Sequence, residues 1–249
     1  MKQFGIDIWG DDNFIIQNDT VNINYANKPS LLRITQTIRE KGYKGPLLLR
    51  FPHLIEKQIS KLFHTFEKAK KEFGYKGNFH AVFPLKVNQF PNFVHSLIDV
   101  SQDYNYGLEA GSKAELIISI AHTPLGAPIT VNGFKDKEMI ALCFIAAKMG
   151  HNITITIEGL EELKTIIEVD KEFNQDIDKP ITPKIGMRIR LHSSGIGTWA
   201  KSGGYSSKFG LTSTELLEAY EILKKASLLD SLYMIHFHIG SQMGDIAPL

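Results

Sequence analysis

From about residue 46 onward, the sequence alternates short apolar runs with longer segments of helical periodicity. Short apolar runs between turn residues are typical of buried strands, and helices between them indicate repeated βα units with a parallel sheet. The predicted strands are PLLLR (46–50), FHAVFPL (79–85), NYGLEA (105–110), PITVNG (128–133), NITITIE (152–158), KIGMRIRL (184–191) and SLYMIHFHI (231–239). An α/β fold follows, either a (β/α)8 barrel or a doubly wound sheet.

Helices are predicted between these strands, over residues 53–73, 136–149, 160–169 and 214–226. A further helix is expected right after GLEAG, because Ser112 followed by Glu115 has the spacing of a capping box. That start places Glu109 at the C-terminal end of a strand and next to a helix N-terminus.

Two features favour an incomplete (β/α)8 barrel of the TIM type over a doubly wound sheet. No GxGxxG follows the first predicted strand, and polar residues recur at the strand C-termini. In a barrel these ends converge on one mouth, where active sites form. The residues concerned are Lys86, Glu109, Asn132, Glu158, Arg188 or Arg190, and His238.

The first 45 residues differ from the remainder. They are rich in Asn and Asp, and short apolar alternations such as Val21, Ile23 and Tyr25 predict edge strands and turns rather than helix. We therefore expect an N-terminal β segment over 1–45 and a truncated barrel over 46–249.

Composition excludes several classes of partner. The 28 basic and 27 acidic residues nearly cancel, so neither nucleic acid nor an anionic membrane is an expected partner. No stretch is long and apolar enough to cross a membrane. Cys143, the only cysteine, lies in an apolar run and is expected to be a buried, inert thiol, which suits a cytoplasmic protein.

Lys86 follows the apolar residues 81–85 and precedes Val87, so a buried setting is predicted for its side chain. A charged ammonium is costly there, and the neutral amine is the form that attacks an aldehyde. The alternative is a solvated lysine at the start of a loop.

His236 and His238 are two residues apart on a predicted strand, so both point to the same side. Such a pair could bind a metal, although no later cluster completes a metal shell; otherwise the histidines are hydrogen-bonded in the core. Ser241 follows Gly240, where a backbone NH and a hydroxyl could hold a phosphate. The Gly/Ser-rich segment 192–210 is either a functional loop or a flexible surface loop.

Four motifs occur in order between residues 80 and 242: FPLKVNQ, GLEAGSKAEL, SGGYSSKFGL and HFHIGSQ. Together they resemble the biosynthetic arginine decarboxylases, which belong to the alanine-racemase-like (fold type III) pyridoxal-phosphate enzymes. The longer forms of these motifs, with Gln89 and the GLEAG run, point to the arginine branch.

The resemblance implies roles for six residues of this chain. Lys86 would carry pyridoxal 5'-phosphate as a Schiff base and later help return a proton, and His238 would stack on the pyridine ring. Three further residues would contact the cofactor: Glu109, Ser241 at the phosphate, and Arg188 (or Arg190). Lys208 would pair across a dimer interface.

The implied reaction is decarboxylation of L-arginine to agmatine and CO2, the entry to polyamine (spermidine) synthesis. The resemblance implies a cytoplasmic homo-oligomer, a dimer or a dimer of dimers, with Mg2+ as an additional cofactor. The family pattern continues past Leu249, so these residues are expected to be a fragment that is inactive alone. Alternatives are a decarboxylase for ornithine, lysine or diaminopimelate, an amino-acid racemase, a non-catalytic pyridoxal-phosphate carrier, and a metal-dependent barrel hydrolase.

Overall fold

A computed structural model describes residues 3–191 and 209–239. The chain divides into two compact units, one extending to Gln58 and the other beginning at Ile59. The domain boundary predicted near residue 45 stays a prediction.

The first unit contains a β-hairpin and two helices. Helix α1 (Ile6–Trp9) precedes strands β1 (Phe14–Gln17) and β2 (Thr20–Ile23), and helix α2 (Leu31–Glu40) follows. The two strands are antiparallel and are joined at Asn18 and Asp19, whose φ angles are 50° and 53°. Asn and Asp tolerate this left-handed conformation, which matches the twist of a two-residue hairpin. The predicted strand around Val21 and Ile23 is therefore present.

Helix α2 contradicts the expectation of strands and turns alone in the first 45 residues. Leu31, Ile34 and Ile38 are spaced by three and seven positions, which places them on one face of a helix. The abundant Asn and Asp residues of this region favoured a prediction of turns, and the short segment with helical periodicity was not recognised.

The strand predicted at residues 46–50 is also absent from the described structure. Leu48 in this segment is 74% exposed, and no described strand is hydrogen-bonded to it. A strand requires a neighbour to complete its backbone hydrogen bonds, so an apolar run without one stays irregular.

The second unit alternates strands and helices, and it contains most of helix α3 (His53–Phe73). The elements that follow are β3 (Val82–Pro84), α4 (Pro91–Ser101), β4 (Gly107–Ala110), α5 (Lys113–His122), β5 (Pro128–Val131), α6 (Lys137–Lys148), β6 (Asn152–Ile157), α7 (Leu160–Asn174), β7 (Lys184–Arg188), α8 (Ser213–Lys225) and β8 (Leu232–His236). All neighbouring strands are parallel, in the order β3-β4-β5-β6-β7-β8. This is the predicted incomplete (β/α) barrel, with six strands in the described part.

The core of this unit lies between the sheet and its helices. Ile155 and Ile157 of β6 are fully buried, as are Phe144 of α6 and Leu163 of α7. Each such side chain contributes roughly 1.5–3 kcal/mol relative to leaving it exposed. Cys143 belongs to this core, so its predicted burial is confirmed, and burial raises the pKa of its thiol to about 12.

Close backbone approach fixes the start of β4, and a side-chain cap fixes the start of the helix that follows it. A Cβ atom at Gly107 would lie 1.8 Å from the carbonyl oxygen of Pro128, so β4 approaches β5 as only glycine allows. Helix α5 begins as predicted, since the Ser112 hydroxyl accepts a hydrogen bond from the Glu115 NH at 3.3 Å. Strand β4 therefore passes into α5 through a short connection that ends at the Ser112 cap.

Candidate active site

A cavity of ≈ 430 Å³ lies at the C-terminal ends of the parallel strands. Six of its lining residues are those that the sequence placed at strand ends, and four others complete the wall. The lining consists of Lys86, Glu109, Gly111, Asn132, Gly133, Glu158, Arg188, Phe209, His236 and His238. Two other predicted site residues, Lys208 and Ser241, lie outside the described residues.

Lys86 lies in a 3₁₀ turn (Leu85–Val87) that directly follows β3. In such a turn successive side chains point about 120° apart. Leu85 is therefore fully buried, whereas Lys86 is exposed toward the cavity. The predicted burial of the lysine side chain is wrong, because the apolar setting belongs to its neighbour.

The turn that carries Lys86 is connected to the end of β4 through a buried carboxylate. Glu115, 8% exposed, accepts hydrogen bonds from Gln89 Nε2 at 2.8 Å and from the Gly111 NH at 2.7 Å. In a capping box this carboxylate would accept a hydrogen bond from the Ser112 NH. In the structure it accepts one from the NH of the preceding residue, Gly111, instead. Lys86 and Glu109 consequently follow neighbouring strands whose ends are bonded together.

Arg188 ends β7 and forms an ion pair with Glu158, which follows β6. The distance from Arg188 Nη1 to Glu158 Oε1 is 2.5 Å, and their side chains are only 17% and 13% exposed. The guanidinium carbon also lies 5.4 Å from the centre of the Phe209 ring, within range of a cation–π contact. Arg190 instead donates to the Gly210 carbonyl oxygen at 3.2 Å. Of the two arginines left open by the sequence, Arg188 lines the cavity.

His236 and His238 both line the cavity, as their spacing predicts. Burial lowers the pKa of His236, and the charge of Arg188, its partner in the register of β7 and β8, lowers it further. The His236 ring is thus favoured in its neutral form. Among the residues that the structure describes, no group of three or more His, Cys, Asp or Glu side chains could hold a metal ion.

The cavity fits the cofactor that the sequence resemblance implies. Its volume is in the usual range for small-molecule sites, and it offers the primary amine of Lys86 for an aldehyde. Within 3–191 and 209–239, two buried polar atoms of its lining have no hydrogen-bond partner: Asn132 Oδ1 and His236 Nδ1. Buried polar atoms are costly without a partner, so a ligand with hydrogen-bonding groups suits this wall.

Sequence reasoning named Asn132 and Glu158 only as strand-end residues and gave them no role. Gly111, Gly133 and Phe209 were not singled out. Phe209 is the penultimate residue of the segment 192–210, and no sequence spacing reveals its contact with Arg188.

Comparison with known proteins places the chain among cofactor-dependent enzymes. Residues 57–249 match the pyridoxal binding domain of the pyridoxal-dependent decarboxylases. The biosynthetic arginine decarboxylase of Tolumonas auensis is 38% identical over 259 residues, covering 100% of this chain and 40% of that protein. The enzyme of the same name from Bacteroides thetaiotaomicron is 40% identical over 249 residues, covering 98% of this chain and 38% of that protein.

Solved structures agree with this placement. The crystal structure of the biosynthetic arginine decarboxylase from Campylobacter jejuni has a TM-score of 0.88 and 58% sequence identity, and the match covers 100% of this chain and 40% of that chain. Diaminopimelate decarboxylase from M. jannaschi has a TM-score of 0.69 at 23% identity, covering 96% of this chain and 50% of that chain, and shares the fold. Across the described residues, no helix has the length and apolarity needed to span a membrane.

Proposed function

This chain belongs to the family of pyridoxal-dependent decarboxylases, and from that premise we propose that the full-length protein converts L-arginine to agmatine and CO2. The chain spans about 40% of the length of the arginine decarboxylases that it matches. The activity is therefore proposed for the full-length protein. The observation that carries the proposal is that Lys86 lines one cavity together with Glu109, Arg188 and His238.

The residues that would hold pyridoxal phosphate are Lys86, through a covalent bond from Nζ, with Glu109, Arg188 and His238 around it and Ser241 at the phosphate. When bound, this cofactor supplies an electron sink for the charge left on the α-carbon as CO2 departs. His238 follows β8 and would pack on the face of the pyridine ring.

The chain's own groups would control protons and charge around that centre. The Lys86 amine, exposed to the cavity, can hold a proton and return it to the α-carbon. General acid–base assistance of this kind contributes on the order of 100- to 10,000-fold. The Arg188–Glu158 ion pair places a guanidinium at the wall with its charge balanced by the carboxylate, and the neutral His236 ring adds no further charge beside it.

L-Arginine is the preferred substrate because the Campylobacter jejuni arginine decarboxylase shares 58% identity with this chain, whereas the M. jannaschi diaminopimelate decarboxylase shares 23%. Steady-state rates of the full-length protein on L-arginine, L-ornithine and L-lysine test this choice. We expect kcat/KM for L-arginine to exceed the other two by at least about tenfold, since one missing polar contact in a site built for it costs more than that. Equal or higher values for ornithine or lysine would move the protein to another branch of the family.

Three further properties are proposed with this function. The full-length enzyme is a cytoplasmic homo-oligomer, a dimer or a dimer of dimers, in which Lys208 pairs across the interface. Sedimentation of the purified enzyme and cell fractionation test these statements. Magnesium dependence, which rests on the resemblance alone, predicts that a chelator lowers the rate and that added Mg2+ restores it.

A further inference from the structure

A buried ion pair lies one hydrogen bond away from the cavity lining. Lys135, in the connection between β5 and α6, has a side chain that is 0% exposed. Its Nζ lies 3.1 Å from Oε1 of Glu162, in the first turn of α7, whose side chain is 15% exposed. Neither residue lines the cavity, and the function proposed above uses neither.

Each member of this pair holds the backbone of a residue that does line the cavity. Lys135 Nζ donates to the Gly133 carbonyl oxygen. Glu162 Oε2 accepts from the Glu158 NH at 2.8 Å. One lysine and one carboxylate thus hold the ends of two neighbouring strands, β5 and β6.

The held segments carry polar groups of the cavity wall. Asn132, with its unpartnered Oδ1, directly precedes Gly133, and its NH is bonded to the Ala110 carbonyl oxygen at 2.9 Å. Gly133 has a φ of 76°, and a Cβ there would lie 2.8 Å from the Gly111 carbonyl oxygen, so this turn has little freedom. On the other side, the Glu158 carboxylate reaches Arg188 at 2.5 Å.

Stability alone is a weak explanation for such a pair. Replacing a buried ion pair by apolar side chains is often neutral or stabilising, whereas removing one partner is destabilising. Exposed neighbours show the contrast: Lys137 pairs with Glu168 and Glu172, and Glu161 pairs with Lys164, with side chains 47% to 86% exposed. Those pairs reach no cavity residue through the bonds described.

We propose that Lys135 and Glu162 are positioning residues that hold Asn132 and the Glu158–Arg188 pair in the arrangement that binds pyridoxal phosphate. The inference rests on the proposed function, because it assigns these residues to the cofactor of that same site. Orienting residues of this kind around bound metals typically change affinity or activity by 10- to 100-fold, and we take the lower end as the expectation for this pair.

The test compares two double variants of the full-length protein. Lys135→Met/Glu162→Met removes both buried charges together, and Lys137→Met/Glu161→Met removes two exposed charges at neighbouring positions. Thermal unfolding of the cofactor-free proteins reports stability, and equilibrium dialysis against pyridoxal phosphate reports its dissociation constant. The kcat and KM for L-arginine, measured at saturating pyridoxal phosphate, show whether catalysis or substrate binding also changes.

We expect Lys135→Met/Glu162→Met to fold, but to unfold below the parent temperature because the Gly133 carbonyl and the Glu158 NH lose these partners. It should bind pyridoxal phosphate about tenfold or more weakly. The exposed control should retain the parent dissociation constant. Parent-like cofactor affinity in the buried double variant would overturn the inference, and so would an equal loss in the exposed control.

If the double variant fails to fold, Glu162→Gln decides, because it keeps an oxygen for the Glu158 NH and removes the charge that faces Lys135. Several-fold weaker binding of pyridoxal phosphate by Glu162→Gln supports the inference, and an unchanged dissociation constant overturns it. A parent protein that bound no pyridoxal phosphate would instead refute the proposed function, and the inference with it.

Discussion

Arg188 and Arg190 are two residues apart near the end of β7, and their environments differ. Arg188 is paired with Glu158 at 2.5 Å and lines the cavity, whereas Arg190 bonds to the Gly210 carbonyl oxygen at 3.2 Å. We predict that Arg188→Lys lowers kcat/KM for L-arginine at least about tenfold, since lysine lacks the planar guanidinium that faces both a carboxylate and a ring. Arg190→Lys is the matched control and should stay within about threefold of the parent. A larger loss for Arg190→Lys than for Arg188→Lys would reverse the assignment.

His236 predicts a pH dependence of stability. Its pKa is lowered by burial first, then by the charges of Arg188 and His238, with Glu158 acting in the opposite direction. The folded state therefore prefers the neutral ring, so stability is complete above the unfolded pKa of about 6.5 and is lost as the pH falls toward the lower folded value. We predict that His236→Gln makes the urea midpoint fall less between about pH 7 and pH 5 than in the parent.

The control for this prediction is His64→Gln, which replaces an exposed histidine of α3. It should change the slope of stability against pH by less than His236→Gln does. Burial also lowers the pKa of His151, so some slope should remain in the His236 variant. If His236→Gln had the same slope of stability against pH as the parent, His236 would have the same pKa in the folded and unfolded states, and the prediction would be wrong.

Among the elements, helix α5 begins at a cap beside the cavity. The Ser112 hydroxyl accepts a hydrogen bond from the Glu115 NH. Ser112 directly follows Gly111, which lines the cavity, and lies two residues after the end of β4. Ser112→Ala should lower the free energy of unfolding by about 1 kcal/mol, the usual cost of losing an N-cap. Urea unfolding measures this effect. Ser96→Ala, which removes a hydroxyl bonded to Asn92 within α4, should change stability by less than about 0.5 kcal/mol; an equal loss in both variants would argue against the cap.

The elements also show where sequence reasoning succeeds and where it stops. Strands β3 to β8 were predictable because a run such as 152–157, in which Ile alternates with Asn or β-branched Thr, is short and bounded by turns. The 46–50 run is also short and rich in apolar residues, but it has no bonded neighbour in the described structure, and composition does not report a neighbour. Helix α2 was missed because its four apolar residues are interspersed with polar ones.

The same limit applies to the site. Lys86, Glu109 and His238 were identifiable because strand ends in a parallel sheet share one edge. The choice of Arg188 over Arg190 required the register of β7 against β8, in which Arg188 lies opposite His236. The Lys135–Glu162 pair joins the connection between β5 and α6 to the first turn of α7, and only the folded chain brings these two places together.

At the scale of the whole molecule, this chain covers only about 40% of the length of the matched arginine decarboxylases. The sequence resemblance implies further cofactor contacts in the part of those relatives that this chain does not match. We therefore predict that the purified 249-residue chain shows no measurable release of CO2 from L-arginine, while the full-length protein does. Sustained turnover by the 249-residue chain would contradict this prediction.

The central claim is that Lys86 carries pyridoxal phosphate in this cavity, and one measurement tests it most directly. The absorbance spectrum of the full-length protein is recorded before and after reduction with borohydride, and the labelled peptide is then mapped. We predict a visible band that disappears on reduction and a cofactor fixed to Lys86 alone. A label on any other lysine, or no visible band in protein supplied with pyridoxal phosphate, would contradict the account.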